Sequence, residues 1–319
     1  MIDKYGDVTM QNFVHLHVHT QYSLLDGQSS ISRLVDKALK DGMPGIAVTD
    51  HGNMFGIKEF WNYVAKKNGA KHANIKSLTK LKKQMVELLA AHPDLAAYKG
   101  ELAEQIAAKQ AVIDSSATYS LEDNEALSQL KGLFGAVESM EKEFGFSEQA
   151  ADEKISSLQA IADFKPIIGC EVYVAREAMH LKRKEVKEDK GGWHLILLAK
   201  NLQGYKNLIK IVSRAWTEGF YARPRTDHSE LEKYHEGLIC CSACIGGEIP
   251  KLILAGRIEE AEQAILWHKN LFGDDYYLEL QRHKATVERA NHDTYPMQQR
   301  VNEQLVALAR KHNVKLICT

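Results

Sequence analysis

Three histidines at alternate positions constrain this chain more than any other feature. They are His15, His17 and His19, in the stretch FVHLHVHTQYSLLDG at positions 13–27. Valine and leucine separate them, and a period of two predicts a strand with imidazoles on one face and aliphatic side chains on the other. Imidazole is a common ligand of transition metals, and Asp26 follows in an Asp-Gly turn, so the stretch predicts half of a metal site. The alternative is a solvent-exposed sheet face on which the histidines pair with side chains of a neighbouring strand.

Composition limits the class of protein without naming it. The 319 residues suffice for one large α/β barrel or two ordinary domains. A net charge of −1 gives no overall basic field, so tight non-specific binding of nucleic acid is not indicated. The five cysteines form no disulfide framework and suit a reducing cytosol. No signal peptide or apolar run of membrane-spanning length is apparent, so we expect a soluble cytoplasmic protein without a membrane partner.

Strand and helix alternate after the first stretch. The pattern predicts a helix over 31–40, a short apolar strand over 46–48 and another helix over 54–67. Such alternation predicts parallel strands with crossover helices. His51 follows the short strand in the sequence TDHG, and functional side chains gather at the carboxyl ends of parallel strands.

The segment 70–163 differs from the rest of the chain in composition and in the spacing of its apolar residues. It is rich in Ala, Leu, Glu, Lys and Gln, and apolar residues recur at intervals of three and four, which predicts two or more long helices in a hairpin or small bundle. Ten basic residues against fifteen acidic ones give a net charge of −5, which argues against a DNA-binding arm. We expect a helical insertion with solvated charged faces, with partner binding as the alternative.

Strand patterns resume at KPIIGCEVYV and carry further candidate side chains. Glu171 lies among apolar residues in this run, where a carboxylate needs a partner or a metal. Cys241 and Cys244 form a C-x-x-C, but no second pair exists to complete a zinc ribbon, so Cys244 is the candidate for a single soft ligand. Arg223 and Arg225 lie in a loop and are candidates for binding phosphate, with surface salt bridges as the alternative. Further elements are predicted at 193–199 (strand), 205–216 (helix), 237–241 (strand), 249–271 (helix), 276–281 (strand), 294–312 (helix) and 314–319 (strand).

The motifs HLHVHT with a following Asp-Gly, TDHG and IIGCE together resemble the PHP (polymerase and histidinol phosphatase) superfamily. The sequence around these motifs is similar to the PHP domains at the N-termini of bacterial replicative DNA polymerase III alpha subunits. The similar segments include GMPGIAVTDHGNMFG, HLILLAKNLQGYKNLIKIVSRA and GLICCSACIGGEIPKLI. This resemblance covers 13–69 and 164–319. It implies a first barrel part over 1–69, a helical insertion over 70–163 and a second barrel part over 164–319.

The resemblance also implies a fold and a ligand set. The fold is an α/β, distorted TIM-like (β/α)7 barrel with a metal cluster at one mouth. Carried over position by position, the metal ligands are His17, His19, Asp26, His51, Glu171, His194 and Cys244. Asp26, His51 and Glu171 would also be catalytic, and an Asp-x-His that completes the family's site should lie just beyond Thr319. His15 has no ligand role; it, Glu279 and His283 are expected either to support the ligands from outside the metal's coordination shell or to be structural.

Mixed His, carboxylate and Cys ligands favour up to three ions of zinc, manganese or iron, with magnesium as an alternative. The implied activity is metal-dependent phosphoester hydrolysis, as a 3′–5′ proofreading exonuclease within a DNA-directed DNA polymerase whose nucleotidyl transfer resides elsewhere. Implied partners are the rest of the alpha subunit, a DNA 3′ end, a proofreading subunit and, through the longer chain, the sliding clamp. Two alternatives are a structural module that docks a proofreading subunit without catalysis and a histidinol-phosphatase-like small-molecule phosphatase.

Overall fold

The computed structural model describes residues 13–24, 26–116, 118–288, 292 and 294–319, apart from the side chain of Glu188. These residues form two compact units. One comprises the chain up to Ala65 together with Phe164–Thr319, and the other is Lys66–Asp163. None of the helices in the described residues is both long and apolar enough to cross a membrane.

The first unit contains one mixed sheet. Its strands are β1 (Gly45–Val48), β2 (Lys165–Val174), β3 (Trp193–Ala199), β4 (Arg225–Thr226), β5 (Leu238–Cys241), β6 (Tyr276–Leu280) and β7 (Lys315–Cys318). The order is β1-β2-β3-β5-β6-β7, and β4 pairs with β2. β3 is antiparallel to both β2 and β5, while the other pairs are parallel. The sheet curves into a half-barrel, so the expected α/β TIM-like barrel class is confirmed.

Helices of this unit cover the outside of the sheet. In the described residues they are α1 (Ile31–Lys40), the first turns of α2 (Ile57–Ala91), α6 (Leu202–Thr217), α7 (His228–Tyr234), α8 (Glu248–Leu254), α9 (Ile258–Phe272) and α10 (Thr294–His312). The rest of α2 belongs to the other unit, with α3 (Leu95–Ser115), α4 (Leu121–Phe144) and α5 (Glu148–Ala160). The core forms where the aliphatic faces of β2, β3, β5 and β6 pack on α6, α8, α9 and α10. Strand β1 is buried along its whole length, as its unbroken apolar sequence predicts.

The histidine stretch departs from its prediction. Residues 13–19 form no regular strand, although they run beside β1. The backbone N–H of Ala47 donates to the carbonyl of His15, and that of Thr49 donates to the carbonyl of Val18. Two residues of one chain therefore oppose three of the other, which is the count of a β-bulge, and the extra residue breaks the ladder.

The unit Lys66–Asp163 is entirely helical in its described residues. α2 was expected to end at Lys67 but continues to Ala91, because only Gly69 interrupts its helix-forming sequence and a single glycine costs about 1 kcal/mol. Asp94, Ser120 and Ser147 cap the three following helices by accepting a backbone N–H three residues ahead. Its core is built from the residues that recur at helical spacing, namely Leu78, Met85, Leu95, Met140, Phe144, Ala151 and Ile155.

Candidate metal centre

Glu171 lies at the centre of a cluster of imidazoles and is fully buried. Its Oε2 is 2.6 Å from Nε2 of His17 and 3.7 Å from Nε2 of His19. Its Oε1 is 2.7 Å from Nδ1 of His51 and 2.6 Å from Nδ1 of His194. The two carboxylate oxygens thus face two separate pairs of histidines, so Glu171 could bridge two metal ions.

Continued pairing beyond the end of β1 places His51 beside Glu171. The backbone N–H of Glu171 donates to the carbonyl of Asp50 at 3.1 Å, and the N–H of Gly52 donates to the carbonyl of Glu171 at 2.8 Å. His51 and Glu171 therefore form a parallel bridge. This is the arrangement expected for side chains at the carboxyl ends of adjacent parallel strands.

His194 reaches the same place by a different route. It is the second residue of β3, so a rule that favours strand ends does not select it. Because β3 runs antiparallel to both neighbours, its beginning lies at the edge where they carry the cluster, opposite Tyr173. Gly246 packs against the imidazole so closely that an added Cβ would lie 2.9 Å from its Nδ1.

A buried carboxylate and a hydroxyl hold the opposite side of the cluster. Asp50 accepts from the backbone N–H of Thr20 at 2.6 Å and from the hydroxyl of Ser23 at 2.9 Å. The oxygen of Ser23 accepts from the backbone N–H of His51 at 3.1 Å and lies 3.3 Å from Nδ1 of His19. Since that hydroxyl's proton goes to Asp50, Nδ1 of His19 donates, and its Nε2 turns a lone pair toward the cluster.

Glu279 performs the corresponding task for His17. Its Oε1 lies 2.7 Å from Nδ1 of His17 and accepts from the side chains of Gln281 at 2.7 Å and Thr319 at 2.8 Å. An imidazole that donates Nδ1–H to a carboxylate presents Nε2 as a ligand, which is the usual outer arrangement of a metal-binding histidine.

The electrostatics of the cluster favour the charged forms of His17 and Glu171 and the neutral forms of His19 and Cys244. Burial lowers the pKa of His17, but Glu279 and Glu171 outweigh it and raise this pKa to about 10. Burial lowers the pKa of His19 to about 4. Burial would raise the pKa of Glu171, yet its imidazole contacts, that to His17 foremost, hold it well below the usual range. The thiol of Cys244 has a pKa of about 12, owing to burial and then to Glu171. Protons therefore compete with metal at His17 and Cys244, and metal affinity should rise with pH.

The donor geometry fits metal ions better than it fits hydrogen bonds. Both oxygens of Glu171 and Nδ1 of His51 are buried without a hydrogen bond of acceptable geometry among the described residues. They nevertheless lie within 2.7 Å of other donors or acceptors. Buried polar atoms nearly always form hydrogen bonds. Atoms that lie this close together without hydrogen-bond geometry are therefore expected where their lone pairs point to a shared metal ion.

Asp26 and Cys244 lie at the edges of the cluster. Oδ2 of Asp26 is 2.9 Å from Nε2 of His51, and more than half of the Asp26 side chain is exposed. Sγ of Cys244 is 3.6 Å from Nδ1 of His194. The structure thus brings together all seven residues predicted as ligands, while their binding of metal stays a prediction.

The two candidate arginines differ. Arg225 is 1 % exposed, and its guanidinium donates to the backbone carbonyls of Gly219, Met179, Leu181 and Asp189. The prediction that Arg225 binds phosphate is therefore wrong, because a buried guanidinium already occupied by carbonyls cannot reach a substrate. Arg223 lies over the ring of Tyr173, 5.7 Å from its centroid, and lines a cavity beside His51.

This cavity has a volume of about 270 Å³ and is mainly aromatic. Trp216 stands between Phe55 and Phe220, with ring centroids 6.0 and 5.5 Å away. Its indole N–H donates to the carbonyl of Gly52, which fixes the ring while two fifths of the residue stays exposed.

Of the residues that hold the ligands, only Glu279 was expected to have a supporting or structural role; Asp50, Ser23 and Gln281 were not selected. Asp50 stands in the same TDHG motif as His51, and a charged residue directly after a buried strand was the available signal. Gln281 and Glu279 are two positions apart in a strand, so a period of two would have put both on the inner face. No pattern in the sequence indicates Ser23 or the anchoring of Trp216.

Comparisons with known proteins agree on one family. A family model described as PHP domain matches residues 15–87 and 118–283. The DNA polymerase III subunit alpha of Borreliella burgdorferi is 37 % identical over 304 residues, which is 95 % of this chain and 17 % of the relative. Those of Treponema pallidum and Aquifex aeolicus are 31 % and 30 % identical, each over 97 % of this chain and 17 % and 18 % of their own lengths. The chain thus spans less than a fifth of these relatives, and the matches extend into 70–163, which the sequence motifs did not reach.

Proposed function

The chain belongs to the PHP domain family, and on that premise we propose that it is the PHP domain of a bacterial DNA polymerase III alpha subunit and hydrolyses phosphodiesters at DNA 3′ ends. The observation that carries this proposal is Glu171, whose two buried oxygens face two pairs of imidazoles without hydrogen-bond geometry. A fully buried carboxylate in that setting is costly unless it binds cations.

The proposed ligands divide into two groups that share Glu171. His17 and His19 face one oxygen, and His51 and His194 face the other, with Asp26 and Cys244 at the edges. Divalent ions of zinc, manganese or iron held there would lower the pKa of a bound water and polarise a phosphate oxygen. Asp26, which is exposed and contacts His51, would accept a proton from the attacking water, while Glu279 and Ser23 keep the ligand imidazoles oriented.

The aromatic cavity supports a nucleotide as the substrate. Arg223 offers a guanidinium for a phosphate, and Phe55, Trp216 and Phe220 offer exposed ring faces on which an unpaired base can stack. Stacking of this kind contributes about 1–3 kcal/mol per base. A cleft with both features beside the cluster favours a single-stranded 3′ end over a small phosphate ester.

The rest of the alpha subunit and the other replisome subunits are the proposed partners, in the cytoplasm. This follows from the names of the relatives and from the small share of their length that the chain covers.

A pair of variants from one motif tests the function. The chain should be purified, loaded with zinc or manganese, and assayed for release of nucleotides from single-stranded DNA labelled at its 3′ end. We expect His17→Asn to lose the metal of the cluster around Glu171 and to lower the rate at least about 100-fold. His15→Asn should keep that metal and the rate, because His15 lies outside the cluster.

The other outcomes separate the rival functions. Bound metal without hydrolysis would overturn the nuclease proposal and favour the structural module. Hydrolysis of a small phosphate monoester but not of DNA would favour the small-molecule phosphatase.

A further inference from the structure

A second group of metal-binding side chains lies outside the cluster around Glu171. His228, Glu248 and His268 bring one donor atom each within 4.8 Å of one another. They come from three helices, since His228 begins α7, Glu248 begins α8 and His268 lies in the last turns of α9. None of the three was selected by the sequence motifs, and the group shares no residue with the first cluster.

His268 is held in the state that a metal ligand needs. It is 1 % exposed, and its Nδ1 lies 2.9 Å from the carbonyl of Ala264, to which it donates. Its ring stacks on Tyr276 with centroids 5.3 Å apart. With Nδ1 as the donor, the neutral ring carries its lone pair on Nε2.

His228 contributes an unpartnered nitrogen. Its Nε2 is buried and has no hydrogen-bond partner among the described residues. The carboxylate of Glu248 is 3.8 Å away, too far for a hydrogen bond, and the imidazole is stacked on Trp267 at 3.9 Å. A buried polar atom without a partner costs about 1–3 kcal/mol, so its position requires an explanation.

The hydroxyl of Tyr276 is a second such atom. It is also buried without a hydrogen-bond partner among the described residues. Its ring stacks on the imidazole of His268, so this residue is in contact with the same group of side chains. Two polar atoms without partners thus accompany one group of three ligand-type side chains.

We propose that His228, Glu248 and His268 bind one divalent transition-metal ion, with zinc the best match to two imidazoles and a carboxylate. Three protein ligands leave a fourth position for water, as in His₂Glu zinc sites. Tetrahedral zinc separates its ligand atoms by about 3.3 Å, so donors that lie up to 4.8 Å apart must approach one another by at most about 1.5 Å. His228 and Glu248 keep 37 % and 14 % of their side chains exposed and have room to move, whereas His268 is fixed. The ion would join three helices that pack on the sheet, and the inference does not depend on the proposed hydrolysis.

Cobalt(II) gives a test that needs no enzymatic activity. The first cluster is removed with His17→Asn and Glu171→Gln, the protein is stripped with a chelator, and one equivalent of Co²⁺ is added. We expect one bound equivalent and visible absorption bands of four-coordinate cobalt, both abolished by a further His228→Asn and displaced by zinc. His235→Asn is the matched control, because His235 directly follows α7 and contacts the carbonyl of Glu232 and the ring of Phe272, outside the group of three ligands.

Folding of each variant is checked by circular dichroism. No bound cobalt in the folded background, or binding that His228→Asn leaves unchanged, would overturn the proposal. If the background variant fails to fold, the comparison is made in the unaltered chain, where His228→Asn should lower the zinc content by one equivalent and His235→Asn should not. Equal zinc content in all three proteins would contradict the second site.

Discussion

The two histidine clusters differ in how their donors are held. Around Glu171, His17 is oriented by Glu279 and His19 by Ser23, and the carboxylate itself is fully buried. In the second cluster, one of three donors has a fixed orientation, and the other two lie on partly exposed helix starts.

This difference matches the roles that we propose for the two clusters, catalysis for the first and stability for the second. Ligands whose outer partners are fixed keep their geometry when a substrate binds, which catalysis requires. A site with mobile donors gains its order from the ion, so its metal should contribute to folding.

The largest expected effect is at the centre of the first cluster. Glu171→Gln removes the carboxylate shared by both ligand groups, and we expect the metal of that cluster to be lost. Glu279→Gln, which changes only an outer partner of His17, should weaken binding about 10–100-fold. Elemental analysis and metal titration measure both. Equal effects of the two variants would show that Glu171 has no special position.

The second largest expected effect is a loss of folding stability at low pH, caused by His268 of the second cluster. Burial lowers the pKa of His268 to about 4. The charge of Glu248 raises this pKa, and that of His228 lowers it, but both effects are smaller than that of burial. The unfolded chain therefore binds a proton near pH 6.5 that the folded chain does not bind until about pH 4. Stability from this group is complete above pH 6.5 and falls by about 3 kcal/mol as the pH drops to 4.

Urea unfolding of the chelated protein between pH 7 and 4 measures this slope, and His268→Gln should flatten it. The ring of Tyr276 stacks on His268 but adds no charge in this range. An unchanged slope in the variant would contradict the assignment of this loss to His268.

The smallest expected effect concerns the packing against His194. Gly246→Ala would place a Cβ 2.9 Å from the imidazole, so the ring must move by a few tenths of an ångström. We expect about 1 kcal/mol of destabilisation and a few-fold weaker metal binding in the first cluster only. Gly191→Ala is the matched control, because a Cβ there meets nothing within 4 Å. Thermal melts and metal titration of the two variants should differ; identical results would show that Gly246 does not position His194.

Local patterns predicted the elements whose identity is fixed by short-range periodicity. The helix Ile31–Lys40 has the predicted bounds, and β1 extends the prediction by one residue, to Gly45. The histidine stretch failed as a strand because a bulge depends on pairing with β1, which the stretch alone does not encode. The predicted helix over 249–271 is two helices, α8 and α9, since Gly256 adopts a left-handed conformation at φ +75°.

Those site residues could be predicted whose side-chain type alone indicates metal binding. Glu171 and the motif histidines could be selected because a polar or charged side chain within an apolar run is costly unless it has a partner or binds a metal. His194 could be taken only from the family resemblance, because its location follows from the reversed direction of β3, a property of long-range topology. Arg225 was misjudged because an arginine that binds phosphate and one that binds carbonyls look alike in a sequence.

The buried guanidinium of Arg225 has a consequence for how the sequence can diverge. Its partners Met179, Leu181 and Asp189 are contacted through their carbonyl oxygens. Every residue type supplies such an oxygen, so the segment between β2 and β3 can exchange side chains at these contacts while the same backbone path is kept. We therefore expect related chains to preserve the arginine and to vary freely in the loop that surrounds it.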